Sequence, residues 1–200
     1  KIPHIGESHC LSFAHLPIQI SSEIKKIQPI LILGGKAWHF ANNRSNQWKT
    51  SLLSQIKKHN YSDEVFISFG EIDCREDEGI LYYSKKNHKQ LSIVCKKTIK
   101  GYLDFMENSL SDVYAKRFYF GVPAMMKNTI TTPLDIERKE LIRNYNYLLK
   151  EEVLNRGSSF VDVFELTTDK DGFNNNIYMC DGIHLDPKCL NLLFENYLYK

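Results

Sequence analysis

The chain has 200 residues, of which 42% are hydrophobic and 12% aromatic, and this composition is typical of one globular domain with a sizeable core. Lysine and arginine total 26 against 24 acidic residues, so the formal net charge is +2, and the basic residues are scattered in pairs. This pattern argues against a nucleic-acid partner, which requires a concentrated basic stripe. No apolar run approaches the ~20 residues that span a bilayer, so we expect no membrane segment.

The cysteines favour a reducing compartment. Their number is odd and their spacing irregular in a chain large enough to fold without disulfides, which predicts reduced thiols and a cytoplasmic location. No Cys-x-x-Cys or His-x-x-x-His spacing occurs, so we predict no metal and no cofactor. The sequence begins without methionine, which leaves a removed signal peptide or a domain of a larger protein as open alternatives. The five cysteines are Cys10, Cys74, Cys95, Cys180 and Cys189.

The first part of the chain contains two predicted strands. Ile2 to Ile5 is apolar and ends at Gly6, and Ile30 to Leu33 is apolar and ends at a pair of glycines. The stretch from Cys10 to Lys26 is predicted as mixed helix and loop because a proline interrupts it. Lys36 to Asn46 is predicted as a loop or a short helix.

The central part alternates helices with strands. Trp48 to His59 is predicted as a helix with two lysines at its C-terminal end, and Glu64 to Phe69 is the clearest strand. The charged stretch that follows, as far as Lys86, is predicted as a loop. Leu91 to Met106 has an apolar period near 3.6 over about five turns, which predicts a long amphipathic helix. Arg117 to Val122 is the fourth strand.

The last part repeats this alternation. Leu134 to Arg156 is predicted as a helix that a glycine closes, and Phe160 to Phe164 as a short fifth strand. Asp169 to Asn176 is a polar loop, and Pro187 to Tyr199 is predicted as the last helix.

Strands that alternate with helices predict a parallel sheet with helices on both faces. We therefore expect one domain over residues 1–200, a three-layer α/β/α sandwich around a five-stranded parallel, flavodoxin-like sheet. Right-handed crossovers bring the carboxyl ends of all parallel strands to one edge. Ser8, Gly34, Asp73 and the loop after the fifth strand are predicted to share that edge.

A serine, a histidine and an aspartate are candidates for nucleophilic catalysis at this edge. A serine hydroxyl attacks only when a base takes its proton, and the base needs a partner that orients it. Asp181 and His184 lie three residues apart before the last helix, so the aspartate can fix the imidazole while the ring reaches Ser8. The alternative is that Asp181 caps the helix and His184 is a surface histidine.

Four motifs in this order resemble the SGNH or GDSL hydrolases, which are serine esterases and acyltransferases on a flavodoxin-like sheet. Gly6-Glu7-Ser8 matches the Gly-Asp-Ser turn of that family, with glutamate for aspartate, and Asp181 and His184 match its Asp-x-x-His pair. The resemblance runs through most of the chain. It implies that Ser8, Asp181 and His184 are the catalytic residues.

The resemblance also implies an oxyanion hole. Its donors are the N–H of Ser8, the N–H of a glycine best matched by Gly34 with Gly35 beside it, and an asparagine whose position holds Asp73. An ionised carboxylate there would repel an oxyanion. Three solutions stay open: a protonated Asp73, another donor such as Arg75, or a hole made of backbone N–H groups.

Four residues are candidates for contact with substrate, namely His9, Gly35, Trp38 and Arg75. For His9, which follows the candidate nucleophile, a buried and hydrogen-bonded histidine is the favoured alternative. Trp38 is a candidate for stacking on a sugar ring, although an aromatic residue after a strand more often belongs to the core. We expect Arg75 to pair with Asp73 and to hold its guanidinium over the pocket mouth.

The predicted function is a serine hydrolase that removes a small acyl group, with acetyl expected, from a carbohydrate ester. An O-acyltransferase acting on a glycan with the same residues is one alternative. A non-catalytic glycan-binding module on the same scaffold is another. The expected partner is a small-molecule or glycan ester.

Overall fold

The computed structural model describes residues 1–20 and 22–200, and within them seven strands form one sheet in the order β2-β3-β1-β4-β5-β6-β7. The pairs among β3, β1, β4, β5 and β6 are parallel, while β2 and β7 run antiparallel at the two edges. The predicted α/β class and flavodoxin-like parallel sheet are confirmed. The strands are β1 Ile2–Gly6, β2 Pro17–Ile20, β3 Glu23–Leu31, β4 Glu64–Ser68, β5 Lys116–Phe120, β6 Ser159–Val161 and β7 Leu198–Tyr199.

The two edge strands correct the predicted strand count of five. The stretch from Cys10 to Lys26, expected as helix and loop, contains β2 and the start of β3, which form an antiparallel pair; Ser21 lies outside the described residues. Ile18 and Ile20 are buried while their neighbours in β2 are exposed, a period of two that fits a strand. Pro17 is tolerated because it is the first residue of an edge strand.

Seven helices accompany the sheet within the described residues. The predicted helices at α2, α4 and α5 are confirmed, with boundaries that differ by a few residues. At α5, Thr132 and Asp135 form a reciprocal capping box around Pro133 at the first helical position. The helices are α1 Ala37–Ala41, α2 Gln47–Lys58, α3 Gly79–Lys86, α4 Leu91–Leu110, α5 Pro133–Asn155, α6 Val163–Thr167 and α7 Leu190–Asn196.

Three predicted segments differ from the structure. The charged stretch expected as a loop contains α3, because Ile80 and Leu81 are buried in the core. The fifth strand ends at Val161 rather than Phe164, since Asp162 caps α6 by accepting a hydrogen bond from an N–H of its first turn. The last predicted helix ends at Asn196, after which β7 pairs with β6.

The sheet is buried on both faces. Ile67 and Tyr119 point into a cluster formed with α1 to α5, whereas Phe66 and Phe118 point into a second cluster formed with α6 and α7. Buried runs of this kind are typical of parallel strands covered by helices on both sides. The three-layer sandwich leaves the carboxyl ends of the parallel strands open at one edge.

No helix within residues 1–20 and 22–200 is long and apolar enough to cross a bilayer. The cysteines are all free thiols, of which Cys180 is exposed and the other four are buried.

Candidate active site

The turn after β1 places Ser8 at the carboxyl edge of the sheet. Gly6 packs so closely on β4 that a Cβ there would lie 2.2 Å from Ser68 Oγ and 2.6 Å from the Ser68 carbonyl oxygen. The N–H of Glu7 donates to that same carbonyl, at 3.2 Å. A short 3-10 turn then begins at Ser8, which is half-buried. Glycine is therefore required two residues before the serine for close approach to β4.

Ser8, His184 and Asp181 form a continuous hydrogen-bonded chain. Ser8 Oγ lies 2.9 Å from His184 Nε2, and His184 Nδ1 lies 2.8 Å from Asp181 Oδ2. The other oxygen of Asp181 accepts the N–H groups of Ile183, at 2.7 Å, and of His184, at 2.6 Å. The structure thus brings the three predicted catalytic residues together.

The hydrogen bonds of Asp181 define its protonation state. The pKa of Asp181 is lowered to about 2 by hydrogen bonds from the backbone and side chain of His184 and from the backbone of Ile183. The ionised carboxylate accepts a hydrogen bond from the N–H of His184 Nδ1, which leaves the lone pair of Nε2 directed at Ser8. This is the tautomer that a general base for the serine requires.

Glu7 lies directly beneath the serine, an arrangement not foreseen in the sequence analysis. Its carboxylate is 3.1 Å from Ser8 Oγ, and it also accepts the N–H of His9 at 3.1 Å. Burial by itself raises the pKa of Glu7, but the charge of His9 and the hydrogen bonds from its side chain and backbone outweigh it and lower that pKa. Glu7 is therefore a buried anion that needs a cation.

His9 supplies that cation. Its Nδ1 lies 2.9 Å from the Glu7 carboxylate and its Nε2 lies 2.9 Å from the carbonyl oxygen of Ile183. Both oxygens only accept hydrogen bonds, so both ring nitrogens carry protons and the ring is an imidazolium. Burial lowers the pKa of His9, but the charge and hydrogen bond of Glu7 and the charge of Glu71 outweigh it and raise that pKa.

These contacts correct the assignment of His9 as a substrate-contacting residue and agree with the alternative of a buried, hydrogen-bonded histidine. The side chain is buried, and neither ring nitrogen is free for a ligand. Instead, His9 ties the turn that carries Ser8 to the loop that carries Asp181 and His184, through Ile183. We call the chain from Glu7 through His9 to Ile183 the Glu7–His9 clamp.

Asp73 does not face the reacting atoms, which corrects its predicted place in the oxyanion hole. Its two carboxylate oxygens accept the N–H groups of Ala37, at 2.7 Å, and Trp38, at 2.9 Å, at the start of α1. Lys36, at the N-cap position, has no acceptor side chain, so the turn after β4 caps this helix. Asp73 is fully buried, and burial raises its pKa to about 7.

Two backbone groups remain as predicted oxyanion donors. Within the described residues, no acceptor takes the N–H of Ser8 or of Gly34. Gly34 has a φ of 65°, a left-handed conformation that favours glycine. Gly35, predicted to contact substrate, is buried and donates its N–H to Ile32 at 2.9 Å, so it is not available.

A cleft of about 550 Å³ opens beside the loop that carries Asp181 and His184 and includes Gly182 and Ile183 in its lining. Arg75 lines it as predicted, but its guanidinium pairs with Glu71 at 2.7 Å and not with Asp73. The expected Asp73–Arg75 pair is therefore wrong, because α1 occupies both oxygens of Asp73. Arg138 also lines the cleft and lies 3.5 Å from Glu71.

Trp38 lies away from this cleft. It lines a separate groove between α1 and α4 and is 37% exposed. It is therefore not in the core, and its contact with the substrate stays a prediction. As for metals, no three potential ligands converge anywhere in residues 1–20 and 22–200.

Solved structures with the same fold are numerous, although neither a protein-family model nor a curated protein matches this chain. A GDSL-like lipase from Bacteroides thetaiotaomicron is 13% identical with a TM-score of 0.59, over 98% of this chain and 84% of the lipase. A catalytic mutant of an acetylxylan esterase from Geobacillus stearothermophilus is 12% identical with a TM-score of 0.56, over 98% of this chain and 92% of the esterase. At such identities the likeness concerns the fold. The chain has the fold of the SGNH/GDSL hydrolases.

Proposed function

We propose that the protein is a serine ester hydrolase that removes an acetyl group from an oxygen of a carbohydrate. The observation that carries this proposal is the hydrogen-bonded chain from Ser8 through His184 to Asp181. Structures that share the fold include GDSL-like lipases and acetylxylan esterases, which supports ester hydrolysis as the reaction class and an acetylated sugar as the substrate class.

In the first half of the reaction, His184 Nε2 takes the proton of Ser8 as Oγ bonds to the carbonyl carbon of the ester. The carbonyl electrons move to its oxygen, which the N–H groups of Ser8 and Gly34 stabilise. The oxyanion then collapses, the bond to the sugar oxygen breaks, and that oxygen leaves with the proton from His184. Asp181 stabilises the imidazolium while it exists.

In the second half, water attacks the acetyl group on Ser8 and gives its proton to His184. Collapse of this second oxyanion breaks the bond to Oγ, which takes the proton from His184, and acetic acid leaves and loses its remaining proton to the solvent. The two halves use the same base and the same donors, in agreement with microscopic reversibility.

The cleft beside the triad fits a sugar better than a long acyl chain. Its lining mixes charged and amide side chains, among them Glu76, Asp77 and Asn128, with apolar ones such as Pro123 and Met125. Carboxylates and amides hydrogen-bond sugar hydroxyls, whereas an acyl chain needs a continuous apolar wall.

Ester hydrolysis by purified wild type and Ser8→Ala tests the proposal. With p-nitrophenyl acetate, we expect Ser8→Ala to lose at least about 10³-fold in kcat/KM while its unfolding transition is unchanged. Wild-type turnover by the Ser8→Ala protein would refute it. Product analysis with an acetylated oligosaccharide and a second sugar separates the alternatives, since transfer that exceeds acetate release would identify an acyltransferase.

A further inference from the structure

A groove of about 610 Å³ lies between α1, the end of α3 and the first turns of α4. We call it the Trp38 groove. Neither the triad nor the cleft beside it shares its lining, so it is a separate feature of the surface. Its lining includes Trp38, Asn43, Arg44, Tyr83, Lys89 and Lys97.

The charges of the Trp38 groove are of one sign. Arg44, Lys89 and Lys97 line it, and no carboxylate does. Within residues 1–20 and 22–200, none of these three cations has a side-chain hydrogen bond or ion pair. By contrast, the two arginines of the catalytic cleft pair with Glu71. In a chain with a net charge of only +2, this groove is a local concentration of unpaired positive charge.

The groove also offers aromatic and amide groups. Trp38 is 37% exposed and Tyr83 is 39% exposed, so each presents part of a ring to a ligand. Exposed aromatic rings pack against the apolar C–H face of a sugar, while amides such as Asn42 and Gln90 exchange hydrogen bonds with its hydroxyls. Cations, rings and amides together suit a ligand that is both a carbohydrate and an anion.

The Trp38 groove opens at the same edge of the sheet as Ser8. The carboxylate of Asp73 ties the start of α1 to the turn that follows β4 at that edge. Because α4 precedes the parallel strand β5, its first turns also lie at the carboxyl edge. The groove and the cleft beside the triad therefore lie at the same edge of the sheet.

We propose that the Trp38 groove binds an acidic oligosaccharide, whose sugar carboxylates pair with Arg44, Lys89 and Lys97. Resting on the proposed function, the groove holds the acylated chain while one of its esters reaches Ser8. A nucleic acid fits less well, because proteins that bind duplexes make about 6 to 10 phosphate contacts and this groove offers three cations.

Binding is tested with Ser8→Ala protein, so that esters survive, by calorimetry with tetragalacturonate and with its methyl-esterified form. These ligands have the same sugar chain, but in the second each carboxylate is an uncharged methyl ester. We expect the free acid to bind at least about tenfold more tightly, and salt to weaken its binding. Tryptophan fluorescence should change on binding, and the change should be lost in Trp38→Phe.

Two double variants in the same Ser8→Ala background locate the site. Lys89→Gln/Lys97→Gln should weaken binding of the acid about tenfold, whereas Lys57→Gln/Lys58→Gln, which removes the same charge at the end of α2, should change it less than about twofold. Three results would overturn the proposal. They are equal affinity for tetragalacturonate and its methyl ester, equal effects of the two double variants, and tighter binding of a uridine oligonucleotide than of tetragalacturonate.

Failure of the groove proposal is distinguishable from failure of the proposed function. With Ser8 restored, Lys89→Gln/Lys97→Gln should hydrolyse p-nitrophenyl acetate like wild type but show a raised KM for an acetylated oligogalacturonate. An unchanged KM would overturn the substrate role of the groove, while loss of the Ser8-dependent reaction in wild type would overturn only the proposed function.

Discussion

The Glu7–His9 clamp makes a sharp prediction about the variant His9→Gln. A glutamine amide donates from a single nitrogen and is uncharged, so it cannot span Glu7 and the Ile183 carbonyl as two opposite ring nitrogens do, each at 2.9 Å. The variant therefore leaves the Glu7 carboxylate buried without its cation, 3.1 Å from Ser8 Oγ. It also releases the loop that holds His184.

The expected magnitudes follow from these two losses. Breaking a buried ion pair by removing one partner costs about 3 to 5 kcal/mol, and the remaining amide hydrogen bond returns about 1 kcal/mol, so we expect a loss of about 2 to 4 kcal/mol in unfolding free energy. Displacement of a catalytic group by about 1 Å costs about 10²-fold. We therefore expect kcat to fall about 100-fold, with KM little changed because His9 is buried.

The stability difference between wild type and His9→Gln should depend on pH. The pKa of His9 is raised from 6.5 by Glu7 and Glu71 against the effect of burial, so its contribution is complete below pH 6.5 and is lost as pH rises through the folded pKa. The pKa of Glu7 is lowered from 4.5, so its contribution is present above pH 4.5 and is lost as pH falls through the folded pKa. The difference should be largest between about pH 4.5 and 6.5.

Urea denaturation from pH 4 to 10 and steady-state hydrolysis of p-nitrophenyl acetate measure these effects. Glu7→Gln/His9→Gln is the matched control, since it removes the buried charge together with its partner and should recover part of the lost stability. The rings of His9 and His184 are 5.1 Å apart, so loss of the His9 charge can change the pH dependence of the rate. The two enzymes are therefore compared at a pH where the wild-type rate is constant. A His9→Gln enzyme with wild-type kcat and a stability difference independent of pH would refute the reasoning.

Three further substitutions test the site. Asp73→Asn should not raise kcat, because the side chain faces α1. Burial raises the pKa of Asp73 to about 7, so in thermal melts wild type should lose stability relative to this variant as the pH rises from 4 to 7. Asp181→Asn should lower kcat about 10² to 10⁴-fold through loss of the His184 tautomer, and an unchanged rate would contradict the role of the aspartate. Gly6→Ala should cost about 1 to 3 kcal/mol by urea denaturation, because the new Cβ meets the Ser68 carbonyl at 2.6 Å, and an equally stable variant would disprove this close approach.

The central sheet could be predicted from sequence because its parallel strands are buried on both faces and read as apolar runs. The edge strands could not. β2 begins with a proline, and β7 has only two residues, both half-buried. Their pairing depends on neighbours distant in sequence, which local patterns do not encode.

The relation of Ser8 to Asp181 and His184 could be predicted because strand order and crossover handedness bring distant segments to one edge. The role of Asp73 could not, since it depends on contacts with residues 35 and 36 positions earlier in the chain. The available signal was Lys36, a residue that cannot accept a cap hydrogen bond at a predicted helix start. The Glu7–His9 clamp had a signal too, an acid and a histidine two residues apart on either side of the candidate nucleophile.

The central claim is that His184 activates Ser8, and covalent labelling tests it most directly. A fluorophosphonate reacts with an activated serine hydroxyl and forms a stable adduct that intact-protein and peptide mass spectrometry locate. We expect one adduct per chain, on Ser8, and at least about 10³-fold slower labelling of His184→Ala protein with an unchanged unfolding transition. An unlabelled wild type, or labelling of Ser8 at the same rate without His184, would contradict the account.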